Sequence, residues 1–321
     1  MATKSGKTYK PYTHVAESNA DLVKKVLGRN LQANPADLLD LLDAVGYYRL
    51  KGYLIPFYQK GIEVFRPNVK LQDVLTVYNF DRYLREVTLV AIARLEVAMR
   101  ARIIKAICSM NKDPLSYIKP TTLSKLKPID HAKLLTRISG SVHQSKNEPF
   151  LRYAKEVYGF EDLPPIWTMM EVMSFGAMMD VFKGLPDVLQ TGIANEFHVR
   201  PTVLRSWLAI IQKARNVCAH HGRLWNRRIQ NTLTTLLGGD ARLIPLHDCL
   251  ITQVDPSAKD KTSVVGVKIF SILSIILYCL QIVRPQSSWK SKCLKVLLSA
   301  NAFIEKGMGF PSNWQTLALW K

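Results

Sequence analysis

The chain has 321 residues, 48% of them hydrophobic, which is ample for one large or two medium packed domains and excludes global disorder. Lysine and arginine number 44 against 25 acidic residues, and a net charge of +19 sits poorly with a small-metabolite enzyme; it points to a polyanionic partner, nucleic acid or an anionic membrane surface. The excess is spread through the chain, because residues 240–321 hold ten basic and five acidic side chains and residues 1–239 hold 34 and 20. Five cysteines (Cys108, Cys218, Cys249, Cys279, Cys293), odd in number and without a CxxC pair, read as reduced thiols. The polar, basic start "MATKSGKTYK" has no apolar export segment, so a cytoplasmic location is expected, and its GKT lacks the upstream glycine of a phosphate loop.

The pattern predicts an all-α chain, since no stretch shows sustained period-two alternation and no hairpin signal joins apolar runs. Short amphipathic helices are expected at Asp21–Leu31 and at Pro35–Val45, the second with proline in a favoured first-turn position. The aromatic stretch "GYYRLKGYLIPFY", Gly46–Tyr58, reads as a loop with a short turn. Asp73–Ser109 contains neither glycine nor proline, and Val74, Val77, Leu84, Val87, Ala91, Leu95, Ala98 and Ile103 recur at helical spacing, enough for one long helix or two joined at a bend. Residues 111–149 read as basic loops, with "LSKLKP" and "SGSVHQSKNEP" mobile, around a helix at Asp130–Ile138. "LPPIW" is a rigid entry into a helix over "TMMEVMSFGAMMDVFKG", on which Glu171 stands alone among apolar residues. Pro201 opens the helix "PTVLRSWLAIIQKARNVCAH". Val264–Val283 carries one charge, Lys268, and only 15 residues follow it, short of the ~20 that span a bilayer, so a buried core helix is expected there. Two or three further helices and a tail stapled by Trp314 and Trp320 complete the chain. The expected organisation is a flexible basic N-terminus (1–20), a helical and aromatic segment (21–70), a helical domain (71–240) and a C-terminal helical extension (241–321).

The stretch "QKARNVCAHHGRLWNRR", Gln212–Arg228, concentrates the chemistry. It lies in the window from Phe197 to Gly239, which has no acidic residue and seven basic ones: Arg200, Arg205, Lys213, Arg215, Arg223, Arg227 and Arg228. A metal site built from Cys218, His220, His221, His247 and Cys249 is disfavoured, because C-x-H lacks the usual ligand spacing and the surrounding cations oppose a dication. Two readings stay open on these residues alone. One is a basic helix end, favourable in itself because the helix dipole prefers cations there. The other is metal-independent RNA cleavage, in which histidine moves protons to and from the ribose 2′-hydroxyl and the leaving 5′-oxygen while arginine stabilises the phosphorus-centred charge. Asn216 and His220 are four apart and share a face, whereas Arg215 lies about 140° from His220 on an ideal helix.

"RNVCAHH" resembles the R-x4-6-H signature of HEPN domains. Together with "GYYRLKGYLIPF", "VYNFDRYLREVTLVAIARLEVAMR", "PPIWTMMEVMSFG", "ARNVCAHHGRLWNR" and "MGFPSNWQTLALW", in that order, the chain resembles Abi-like bacterial defence proteins of the AbiD/AbiF type over about Asp21 to Trp320. That resemblance implies a helical bundle with a HEPN-type core and a metal-independent endoribonuclease, without cofactor, acting as a toxin in anti-phage abortive infection. It implies Arg215 and His220 as the catalytic pair, Asn216 as the orienting residue and His221 as an alternate. It also implies a homodimer that brings two motifs face to face, and control by a small structured RNA. Glu171 with the following "SFG" forms a further motif of that family; its carboxylate is expected to partner an arginine. Tyr47 or Tyr48 with Arg49 and Lys51, and Arg223, Arg227 and Arg228, are candidate RNA contacts, the aromatics being equally readable as a cap of the core. The alternative is an RNA-binding HEPN-fold scaffold without significant nuclease activity.

Overall fold

A computed structural model describes residues 11–13, 15–234, 240–251 and 263–321 of the chain, so most of the expected basic N-terminus lies outside the described residues. The described residues form an all-α protein of fourteen α-helices with one small two-stranded ribbon. The chain divides into two compact units, Met1–Phe80 and Asp81–Lys321, and the division falls within the long helix α4 (Leu71–Met110).

In the first unit, α1 (Asn19–Leu27) starts at Ser18, whose hydroxyl accepts from the Asp21 amide, and α2 (Pro35–Val45) starts at Asn34, whose side chain accepts from the Ala36 amide. Gly46, at φ +80, ends α2 and lets α3 (Tyr47–Leu54) begin at once, followed by a 3-10 turn at Ile55–Phe57. The expected loop over Gly46–Tyr58 is therefore helical. Leu50, Tyr53 and Leu54 fall at i, i+3 and i+4 and are buried, which outweighs the propensity cost of Gly52. Arg29 ties this unit together: its guanidinium donates to the hydroxyls of Tyr47 and Tyr58, both at 3.1 Å, and pairs with Glu63.

The second unit holds the remainder of α4, then α5 (Pro128–Gln144), α6 (Pro149–Tyr158), α7 (Ile166–Val172), α8 (Phe175–Gly184), α9 (Asp187–Glu196) and α10 (Pro201–Ala219). After the ribbon strand β1 (Ile229–Thr234) come α11 (Ile244–Ile251), β2 (Ser263–Val267), α12 (Ile269–Val283), α13 (Trp289–Leu297) and α14 (Ala302–Met308). The segment "SGSVHQ" continues α5 rather than looping, and Pro149 opens α6, so the expected mobile loop there is mostly helix. "LSKLKP" is a turn but an anchored one: Leu123 is buried and the Lys125 amide donates to the Gly184 carbonyl. The single helix expected over "TMMEVMSFGAMMDVFKG" is two, because Met173 is extended and Ser174 caps α8 by accepting from the Ala177 amide at 3.2 Å.

The all-α expectation holds, and the described residues add one short antiparallel pairing of β1 with β2, in which Ile229 faces Val267 and Thr232 faces Val265. Val264, Val265 and Val267 are β-branched and follow the pairing instead of extending the helix behind them. The buried helix expected from Val264 thus begins only at Ile269, and α12 is buried from Ile269 to Leu280 as the spine of this unit. At 15 residues it is about 22 Å long. No helix among the described residues is long and apolar enough to cross a membrane.

The C-terminal tail closes over α12. Trp320 stacks on Phe270 at 5.7 Å between ring centroids, and its indole N–H donates to the Ser274 hydroxyl at 2.9 Å. Trp314 lies edge-on to Trp320 and donates to the Glu305 carboxylate at 3.1 Å. Trp320→Ala is expected to lower the unfolding free energy by about 3–5 kcal/mol. Trp320→Phe keeps a ring on Phe270 and should lower it by roughly 1–2 kcal/mol. Urea denaturation of the two variants checks this, and equal losses would place the weight on the N–H rather than on the stacking.

Candidate active site

Helix α10 forms because Pro201 presets its first turn and Val203, Leu204, Trp207, Leu208, Ile211, Ala214 and Cys218 build a continuous apolar stripe toward the core. That stripe fixes the rotation of the motif. Asn216 and His220 point away from it and are exposed, while Arg215 sits on the flank and is half-buried. The helix stops at Ala219. The His221 amide donates to the Cys218 carbonyl at 3.0 Å and the Gly222 amide to the Val217 carbonyl at 2.7 Å. These are the two bonds of a Schellman end, with His221 at φ +54 in the left-handed position usually given to glycine. His220, as the cap residue, and His221 therefore leave the helix axis on different headings, and both side chains are exposed.

Arg215 has no ion pair or hydrogen bond to the described residues, and neither do the side chains of Asn216, His220 and His221. Cys218 lies on the opposite side of the helix. Burial first, and then the charge of Asp81, push its thiol up to about 12, so it stays neutral and fills the core. No group of three or more His, Cys, Asp or Glu is placed to hold a metal ion among the described residues.

The loop after α10 is fixed by a residue that sequence reasoning missed. Asp81 on α4 is fully buried, accepts from the Leu224 amide at 3.1 Å and the Trp225 amide at 2.6 Å, and pairs with Arg85 one turn on. The acid-free window in the sequence thus has a carboxylate beneath it in space, but one spent on backbone amides and a buried guanidinium. Trp225 is also buried; its indole N–H donates to the Ile304 carbonyl at 3.0 Å, and a Cβ on Gly307 would come within 2.7 Å of its ring. The i, i+4 Asp–Arg pair in "NFDRYLRE" is the only signal of this clamp in the sequence, and nothing local tells it from a surface ion pair.

A second clamp ties the break between α7 and α8 to α4. Arg100 donates to the carbonyls of Glu171 at 2.8 Å and Met173 at 2.7 Å and pairs with Glu96. The arginine expected to partner the Glu171 carboxylate instead takes its backbone oxygen, because Glu171 lies in the last turn of α7, where carbonyls lack helical partners, and its side chain is exposed. A Cβ on Gly176 would lie 2.8 Å from the Gln212 amide nitrogen, so glycine in "SFG" lets α10 approach one turn before Arg215.

The remaining candidates divide. Arg227 and Arg228 are exposed, and Arg227 donates to the Arg223 carbonyl at 2.7 Å. Arg223 stands over the Trp225 ring. In the first unit Tyr48 is 93% exposed, Arg49 lies against Tyr78, and the Lys51 charge is answered by Glu63 at 3.2 Å.

Asp81→Ala would leave Arg85 without its buried partner and two amides without an acceptor, at a cost of about 3–5 kcal/mol. Chemical denaturation measures the loss. Hydrogen exchange at the Leu224 and Trp225 amides should accelerate more than at the centre of α12; uniform acceleration would argue against a local clamp.

Comparison with curated proteins finds no match, and comparison with solved structures finds none. A family model described as Abi-like protein matches residues 40–226, more than half of the chain, a span that begins in α2 and ends just beyond the Asp81 clamp. The chain belongs to the Abi-like protein family.

Proposed function

We propose that the chain is a metal-independent HEPN-type endoribonuclease that acts as a toxin in abortive-infection defence against phage. The observation that carries this reading is the end of α10: Asn216 and His220 on one open face, Arg215 on its flank, and the Asp81 carboxylate that binds the following loop buried beneath it. Family membership supports the defence role, and the charge of +19 supports an RNA ligand.

In this mechanism one imidazole, His220, takes the proton from the ribose 2′-hydroxyl, and the oxygen attacks the adjacent phosphorus. Arg215 stabilises the charge on the phosphoryl oxygens, and Asn216 orients the imidazole or holds a phosphate oxygen. A second proton donor for the 5′-oxygen comes from His221 or from the motif of a second protomer. A homodimer supplies the latter, since the Asn216–His220 face of one chain is uncovered by the described residues. A small structured RNA bound to the same basic surface would hold such a protein inactive.

The test is incubation of the purified protein with single-stranded RNA in EDTA, with mapping of product ends. Products should carry 2′,3′-cyclic phosphate and 5′-hydroxyl, and Arg215→Ala or His220→Ala should each slow cleavage by roughly 10²-fold or more. Cleavage that survives both substitutions sinks the assignment. RNA binding without turnover by the wild type would favour the scaffold reading instead. If the cleft is composite, native mass spectrometry finds dimers, and mixing the two inactive variants restores part of the activity.

A further inference from the structure

The ribbon that follows the motif loop brings three cations together. Ile229 pairs with Val267 at the end of the ladder, and Arg228 and Lys268 are the residues that flank this last pair, close enough for their charges to interact. Like charges held this close are destabilising. Lys306, on α14 next to Gly307, which lies against the indole of Trp225, adds its charge at Lys268. None of the three forms an ion pair with a described acidic residue, and the adjacent Glu305 is engaged by the Trp314 indole. Burial first, then the charges of Arg228 and Lys306, lower the Lys268 ammonium below the ordinary lysine range.

The backbone at this point is also suited to an anion. Lys268 is the N-cap of α12 and gives no side-chain cap, so the first-turn amides and the positive end of a 15-residue helix lie beside the three side chains. Ser271, in that turn, has a fully buried hydroxyl without a hydrogen-bond partner among the described residues. A loop, a strand end and a helix thus contribute one cation each, where a single neutral side chain would remove the repulsion. An anion seated among them compensates it.

We infer that Arg228, Lys268 and Lys306 form a phosphate subsite for the RNA backbone, eight residues beyond His220 along the clamped loop. The inference rests on the reading of α10 as an RNA site and names where the strand continues. Lys268 and Lys306 bind and position; they do not touch the reacting linkage.

The experiment uses the full chain carrying His220→Ala, which binds without cutting, and a fluorescein-labelled oligouridylate followed by anisotropy over a salt series. Adding Lys268→Gln and Lys306→Gln should weaken binding roughly tenfold at low salt and flatten the slope of log K against log salt by about 0.7 for each phosphate no longer neutralised. The thermal midpoint of the doubly substituted chain should be unchanged or higher, since repulsion is removed, whereas a merely structural pair of lysines would lower it. Unchanged affinity and slope overturn the subsite. So does a calorimetric titration in which inorganic pyrophosphate binds these lysines without displacing the RNA, which would make it a site for free anions. In the otherwise wild-type chain, the two lysine substitutions should raise KM and leave kcat. Unchanged KM with cleavage still abolished by Arg215→Ala rejects the subsite and keeps the nuclease, whereas no RNA binding by the parent chain rejects both.

Discussion

A carboxylate with no solvent exposure must be compensated by its surroundings, and at Asp81 that compensation organises the whole end of the motif helix. Its two oxygens are divided between a guanidinium on its own helix and two successive amides of the chain leaving α10. The Leu224–Trp225 segment cannot move away without stranding the charge. Trp225 is thereby driven into the pocket offered by α14, and the exposed arginines after it are carried on a rigid turn. Histidines at a helix end are normally free to fray with it. Here the Schellman bonds close the helix and Asp81 holds the loop behind it, so the backbone at His220 and His221 is tied at both ends.

The long helix α4 serves both sides of this frame. Arg100, five turns beyond Asp81, ties down the carbonyls where α7 breaks, and that break sets Ser174 and Gly176 at the start of α8 against Gln212 of α10. The motif helix is thus approached closely by Gly176 of α8, and the loop beyond its end is held by the Asp81 carboxylate of α4. The side chains of Arg215, Asn216, His220 and His221 carry no such ties among the described residues. The charge distribution fits that division. Asp81 lies buried beneath the loop, spent on backbone amides and Arg85, and Arg227 and Arg228 lie on the outside.

Much of this was legible in the sequence. The long glycine- and proline-free segment, the proline that opens α10 and the apolar stripe behind Arg215 predicted the helices that carry the site and the face that Asn216 and His220 share. Local rules failed where tertiary packing outweighed propensity. A glycine at positive φ made α3 a helix rather than a loop, and "VVGV" became a strand because β1 stood ready to pair with it. Glu171 was expected to present its carboxylate to an arginine, yet the arginine took the carbonyl, since a helix end offers unsatisfied oxygens that sequence alone does not locate.

Composition and periodicity by themselves determined an all-helical, basic protein with a polar cluster at one helix terminus, because hydrophobic spacing and the count of charges are properties of the chain alone. Which charges are available is a tertiary matter. Asp81 lies 139 residues before His220, and only folding brings it under the loop, just as only the pairing of β1 with β2 brings Arg228 near Lys268. Electrostatic availability depends on distance and burial, and neither is encoded by proximity in sequence. The sequence therefore specified which residues could do chemistry, and the tertiary structure decided which acids are spent, which cations stand unanswered and which face of α10 is left open.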